Sequence, residues 1–329
     1  MGNTKLNSVE GVLSSVCSNS RAKEMILSEV NYRVIEIDQG LKASFQTLKR
    51  NNGVSETGIT ICKEGDLIAP VFCIEEMARL VSKGQMDVGT VADSLIDSYK
   101  HALEIQPDSA EITKEAAKKN LIAIVVNYEK NKEKLMDAPM MKFGDLAVAV
   151  RLFMKPSGSV FVTNGMCELF EMTPKETLET ALYNTVTDEY EVKSIFEKML
   201  ETVRISSPAD FERIMSCKTE AHDQMLVITN KRKFYGATGI YVNEELRNDV
   251  RKRLDGDFYI LPSSIHEAIA VPAKYYEIDY LASMVEQIND TSVYEEDFLS
   301  DNIYFVGEDL KPQLVGSTEE FNKMISEKD

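Results

Sequence analysis

One pattern constrains the fold of this sequence more than any other feature. Two short β-type runs around a turn, followed by a helical stretch, recur four times along the chain. The first unit is GITICKEGDLIAPVF (58–72), turning at Lys63–Asp66, with helices in CIEEMARLVSKG and VGTVADSLIDSYKHAL. The second is DLAVAVRLFMKPSGSVFVTN, turning at Lys155-Pro156-Ser157-Gly158. Helices follow at Met166–Phe170 and in TPKETLETALYN, where Thr173 suits an N-cap and Pro174 the first helical position. The third is MLVITNKRKFYGATGIYV, turning at Asn230–Lys233, with Asn243 as cap of the helix NEELRNDVRKRL. The fourth is FYILPSSIHEAIAVP (258–272), followed by EIDYLASMVEQIN, whose Ile278, Leu281, Val285 and Ile288 keep one face. Short turns join antiparallel strands, whereas parallel strands need long crossovers. The expected fold is therefore α+β: four β-hairpin-plus-helix units forming mainly antiparallel sheet covered by helices.

The rest of the chain fits around these units. Residues 8–30 read as a loosely amphipathic helix. A second helix is expected from Tyr32 to Arg50, with Ile37, Leu41, Phe45 and Leu48 at helical spacing and Asn51-Asn52-Gly53 closing it. LIAIVVN (121–127) is a further β-type run. The units share a pattern and no sequence identity, so they form no repeat family. The expected organisation is an N-terminal helical extension (1–30), a first lobe (31–187), a second lobe (188–307) and a mobile acidic tail (308–329).

Charge narrows the function classes. The 329 residues carry 37 Lys+Arg against 54 Asp+Glu, a net charge of −17. A surface this acidic repels nucleic acid and anionic membranes at long range, so direct DNA binding is disfavoured and a protein partner is expected. No segment approaches the ~18 consecutive apolar residues of a membrane span. The opening MGNTKLNSVEGVLSSVCSNS has no long apolar run, and Leu6 breaks a myristoylation match. Five scattered cysteines without a CxxC pair read as free thiols in a reducing cytoplasm.

Ser263, Ser264, His266 and Glu267 supply the residue types of nucleophilic catalysis, a hydroxyl, a base and an orienting acid. Neighbourhood in sequence is weak support, because triads assemble in space. If 265–271 is a strand, His266 and Glu267 point to opposite faces. The serines also lack the Gly-x-Ser-x-Gly turn of the hydrolases that expose a nucleophile. The structural reading is a Pro262-Ser263-Ser264 hairpin turn whose hydroxyls satisfy turn amides, with His266 bonded to backbone or to a neighbouring element.

Metal and cofactor chemistry find little support. His101, His222 and His266 lie far apart, and Cys217 with His222 falls short of a ligand set. NDTSVYEEDFLSD lacks the central glycine of a calcium loop. No phosphate-binding glycine loop occurs, so no cofactor is expected. Gly236 in YGATG reads as a bulge or a close approach. Arg204–Arg253 holds ten basic and seven acidic residues, against a net of −10 over Ala273–Asp329. Within it, Asn230, Lys231, Arg232, Lys233 and Gly236 are the binding candidates, for an anion, RNA or the acidic C-terminal part. The plainer reading is a solvated hairpin tip, with Arg251–Arg253 complementing a helix C-terminus.

Several blocks together resemble a bacterial domain-of-unknown-function family. They are ITNKRKFYGATGIY, FYILPSSIHEAIAVP, MVEQIND and LSDNIYF, with VVNYEKNKEKLMDAP, FGDLAVAV and IAPVF upstream. The matching positions are Asn230, Gly236, Ala237, Leu261, Pro262, Ser263, Ser264, His266, Glu267 and Asn289. VITN stands where the family pattern reads LTN, and the first 30 residues have no counterpart. The resemblance implies a bacterial cytoplasmic protein from genomes rich in mobile elements, and no activity. Two functions follow as expectations. One is a non-enzymatic interaction protein, in its sharpest form an acidic nucleic-acid mimic. The other is a hydrolase or transferase built on Ser263, Ser264, His266 and Glu267, with Asn230 nearby.

Overall fold

The computed structural model describes residues 3–65, 69–105, 114–154, 158–206, 225–262 and 264–316, with side chains from residue 18 onward in the first helix. The chain divides into two compact units, Met1–Glu111 and Ile112–Asp329. The lobe boundary expected at 187–188 falls inside the second unit. The class is α+β, with three antiparallel sheets among the described residues. No helix among them is long and apolar enough to cross a membrane.

In the first unit, α1 (Asn3–Ile37) is followed by β1 (Leu41–Lys49), β2 (Ser55–Lys63), β3 (Val71–Cys73), α2 (Glu75–Ser82) and α3 (Val88–Ile105). Every fourth residue of α1 from Ala22 (Ala22, Ile26, Val30, Val34) enters the core, against Leu41, Ala43, Ile59 and Ile61 of the sheet. Ala22, Ile26 and Val30, inside the stretch expected as an extension, therefore belong to this core.

The helix expected over 32–50 is a correction. It ends at Ile37, and Asp38 turns the chain, its carbonyl accepting from Leu41 N at 3.0 Å and its side chain from Gly40 N at 2.8 Å. Spacing of four residues suited both states, but Leu41 and Ala43 are buried alternately with exposed Lys42 and Ser44, a strand signature. Asn52 and Gly53 do adopt left-handed φ, 56° and 76°, but they turn the β1–β2 hairpin instead of closing a helix. The side-chain amide of Asn31 then covers the free edge of β1, donating to Ala43 O at 3.0 Å and accepting from Ala43 N at 2.9 Å. The expected β2–β3 hairpin is present, pairing Gly58 with Cys73 and Thr60 with Val71.

The second unit opens with α4 (Lys114–Asn120), β4 (Leu121–Asn127), α5 (Lys132–Leu135), β5 (Met141–Phe143), β6 (Leu146–Met154) and β7 (Gly158–Phe161). Then come α6 (Asn164–Leu169), α7 (Pro174–Val186), β8 (Tyr190–Ser194), α8 (Ile195–Ser206), β9 (Leu226–Asn230), α9 (Thr238–Val242) and α10 (Glu244–Arg253). It closes with β10 (Phe258–Leu261), β11 (Ala268–Pro272), α11 (Ile278–Ser292), β12 (Ile303–Val306) and β13 (Pro312–Val315). β6 is the centre of a four-stranded sheet, paired with β4 on one side and with β5 and β7 on the other. The second sheet runs β13-β12-β10-β11-β9-β8.

β4 is an edge strand, yet all seven of its residues are buried. Water cannot serve its outward amides, so side chains do. Thr185 Oγ1 accepts from Ala123 N at 2.8 Å and Thr238 Oγ1 from Val125 N at 3.0 Å. Thr173 caps α7 through a reciprocal capping box with Glu176, and the Asn243 side chain caps α10.

Three further segments differ from the sequence-based expectation. The third hairpin does not form, because β9 already has β8 on one edge and β11 on the other, leaving no place for a strand from 234–242. That stretch becomes α9, buried from Thr238 to Tyr241 and so without a readable period. The tail is not loose from residue 308: β13 pairs with β12, and Pro312 takes the first position of this edge strand. Residues 317–329 lie outside the described residues. On α11, Ile288 is exposed, and Asn289 is buried with Ile278, Leu281 and Val285.

Candidate functional site

β10 and β11 form the expected hairpin, Phe258 opposite Pro272 and Leu261 opposite Ile269. β11 starts at Ala268, so His266 and Glu267 belong to the connecting loop and the strand-parity argument does not apply to them. Ser263 lies outside the described residues. Ser264 Oγ accepts from the main-chain N–H of both His266 and Glu267, each at 3.2 Å. This is the amide-satisfying role of a turn serine. Glu267 turns away and pairs with Lys198 at 3.5 Å.

Both ring nitrogens of His266 are engaged. Tyr235 N–H donates to Nδ1 at 3.4 Å, which assigns the ring proton to Nε2, and Nε2 donates to Asp297 Oδ1 at 3.1 Å. Main-chain bonds reinforce the same junction. Ile265 N donates to Asp297 O at 2.9 Å, Ala237 N to Ile265 O at 3.3 Å, and Thr229 Oγ1 to His266 O at 2.9 Å. The imidazole thus joins the loop after β9 to the loop before β12. Phe234 and Tyr235 lie beside it, ring centroids 5.8 and 6.0 Å away. Burial pushes the Tyr235 hydroxyl up, so it titrates above the usual phenol range.

The binding candidates serve the same junction. The Asn230 side chain donates to Phe234 O at 3.0 Å and accepts from Phe234 N at 3.2 Å, closing the turn on itself. Lys231 pairs with Glu189 and Arg232 with Asp188, so the turn that leads into β8 neutralises this basic turn. Lys233 is exposed and sits at φ 52°. A Cβ on Gly236 would lie 2.4 Å from Thr229 Oγ1 and 2.5 Å from His266 O, so only glycine lets these backbones meet.

A second polar centre lay unassigned in the sequence. Asp145, in the turn between β5 and β6, accepts from the hydroxyl of Ser300, from Asn302 Nδ2 at 2.9 Å and from Tyr304 Oη at 2.5 Å. Gly144 before it has φ 56°, and a Cβ there would lie 2.7 Å from Tyr304 Oη. Burial and then the Asp145 charge push the Tyr304 hydroxyl far above its ordinary range. Two asparagines hold the same loop. Asn127 Nδ2 donates to Leu299 O at 3.0 Å, and Asn289 Nδ2 to Ser300 O and Asp301 Oδ1 at 3.0 and 2.8 Å.

Segment 297–302 is therefore a hub on which His266, Asn127, Asn289 and Asp145 converge. The blocks FGDLAVAV, VVNYEKN, MVEQIND and LSDNIYF pointed to these residues without revealing that they meet. Among the described residues no group of three or more His, Cys, Asp or Glu is placed to hold a metal. Cys217 and His222 lie outside the described residues. An open cleft of about 550 Å³ is lined by Tyr190, Val192, Leu246, Asp249, Lys252 and Arg253, none of them a candidate above.

A family model described as a family of unknown function (DUF5688) matches residues 21–306, so the match starts within the first 30 residues, which were expected to have no counterpart. Searches of curated proteins and of solved structures found no match.

Proposed function

The chain belongs to this family of unknown function, whose model spans residues 21–306, and from its own residues we propose that it works by binding a macromolecular partner, without catalysis. The observation that carries this reading is the engagement of His266. A general base needs a ring nitrogen facing substrate, and here Nδ1 takes a main-chain N–H while Nε2 is held by Asp297. Ser264 Oγ is likewise occupied by two turn amides.

The partner's chemistry follows from charge. A chain of −17 attracts basic surfaces. Asp279, Glu286 and Asp290 lie on one exposed face of α11. Successive acids stand roughly 10 and 6 Å apart along the helix axis, about three and two steps of a nucleic-acid strand. The sharpest form of the proposal is thus a nucleic-acid mimic that occupies a DNA- or RNA-binding protein. Free thiols at Cys62, Cys73 and Cys167 fit a cytoplasmic setting.

The full chain, immobilised and exposed to cell lysate at low salt, is expected to retain nucleic-acid-binding proteins. Added duplex DNA or high salt should release them, and an Asp279→Lys/Glu286→Lys/Asp290→Lys variant should retain fewer. Failure to hold any basic partner at low salt overturns the mimic. A hydrolase or transferase reading keeps one observation, the carboxylate of Asp297 on the imidazole, as an orienting acid holds a catalytic base. Ester or amide turnover that disappears in His266→Ala would establish it instead.

A further inference from the structure

Among the described side chains of α1, three of the four large apolar ones that are exposed lie on one face; the fourth, Ile37, is the helix's last residue and lies off it. Met25 is 48% exposed, Tyr32 67% and Ile35 55%. With Ser28 they occupy positions 25, 28, 32 and 35, alternating three and four residues apart. At 100° per residue these positions make one stripe, and the spacing is that of a seam between two packed helices. The other side of the helix, Ala22, Ile26, Val30 and Val34, is the side used by the unit's own core.

Opposite charges flank the stripe. Arg21 at one end and Glu36 at the other are both exposed, and the side chain of neither has an ion pair or hydrogen bond within the described residues. That pattern is self-complementary in one direction only. A parallel copy of the helix would set Arg21 against Arg21 and Glu36 against Glu36. An antiparallel copy sets Arg21 against Glu36 twice, by symmetry.

We propose that this face of α1 is a homodimer seam, on which α1 of a second copy packs antiparallel about a two-fold axis passing between Ser28 and Glu29. In this register Met25 of each copy meets Tyr32 of the other, and the small Ser28 lies at the crossing. Ile35 extends the apolar contact at both ends, and the Arg21–Glu36 pairs close it. The interface is isologous, the same patch used by both copies, as a closed dimer requires. Antiparallel helix dipoles add a favourable contribution. The inference is independent of the partner proposed above.

Sedimentation equilibrium of the full chain at physiological salt tests it. The wild type is expected to be dimeric at micromolar concentration and Tyr32→Glu monomeric. Arg21→Glu and Glu36→Arg each create two like-charge contacts, and each is expected to weaken the dimer by roughly tenfold or more. The double variant Arg21→Glu/Glu36→Arg rebuilds both pairs with the signs exchanged and is expected to return to wild-type affinity. All four variants change exposed side chains, so far-UV circular dichroism should match the wild type. A monomeric wild type overturns the proposal, as does a dimer indifferent to Tyr32→Glu. So does a double variant as weak as the two single changes combined.

Discussion

His266 shows how a residue with catalytic chemistry also ties two loops together, through Tyr235 N–H and Asp297. Its side chain is only 34% exposed and that of Asp297 26%, so water replaces neither partner fully if one is removed. His266→Ala leaves Tyr235 N–H and the Asp297 carboxylate short of a partner. It is expected to destabilise the second unit by about 1–3 kcal/mol, read from urea unfolding. Asp297→Ala should cost a similar amount, and the double variant less than the sum, because the two side chains share one bond. Additive losses would mean that the pair does not act as a unit. The residue types Ser264, His266 and Glu267 were legible in the sequence. The partner of His266 was not, since Asp297 lies 31 residues further on and only the fold brings it there. Lys231 and Arg232 were visible as a basic turn, but their neutralisation by Glu189 and Asp188 needed β8, which carries no strong strand signal.

Among the elements, those governed by local chemistry were readable and those decided by neighbours were not. Thr173 with Pro174 and Asn243 with Glu244 announced their helices because a cap bonds within three residues. β1 and α9 were misread for a different reason. Leu41, Phe45 and Leu48 satisfy a helical period by accident of spacing, and α9 is buried on all sides, so neither segment carries its state in its apolar pattern. β4 shows what the neighbours contribute. Its outer edge is closed by hydroxyls from α7 and α9, in place of another strand. Thr238→Val keeps the volume and shape and removes the acceptor from a buried Val125 N–H. The expected loss is about 1–3 kcal/mol, measurable by thermal unfolding, together with faster hydrogen exchange at Val125. An unchanged exchange rate there would show that the amide finds another acceptor.

Over the whole molecule, the α+β class and the antiparallel pairing followed from turn spacing. The division at residue 111 did not, because it depends on which apolar faces meet. α1 supplies a face to the first unit's core, although its first 30 residues read as an appendage. Each unit has its own core, so the chain should not unfold as one cooperative block. The second unit also has a large gap to close. Asp145 holds Ser300, Asn302 and Tyr304, partners 155, 157 and 159 residues away, and Asn127 reaches Leu299 across 172. Loop-closure entropy must be spent before such distant contacts return anything. The hub is therefore a late event in the order of assembly, a closing stitch made after both sheets exist. Contacts absent from the transition state govern how fast a protein comes apart, with little influence on how fast it forms. Asp145→Asn is accordingly expected to speed unfolding and leave refolding nearly unchanged in stopped-flow measurements, whereas a slowed refolding limb would place the stitch in the nucleus. On this account three side chains held by one carboxylate set the lifetime of the folded unit.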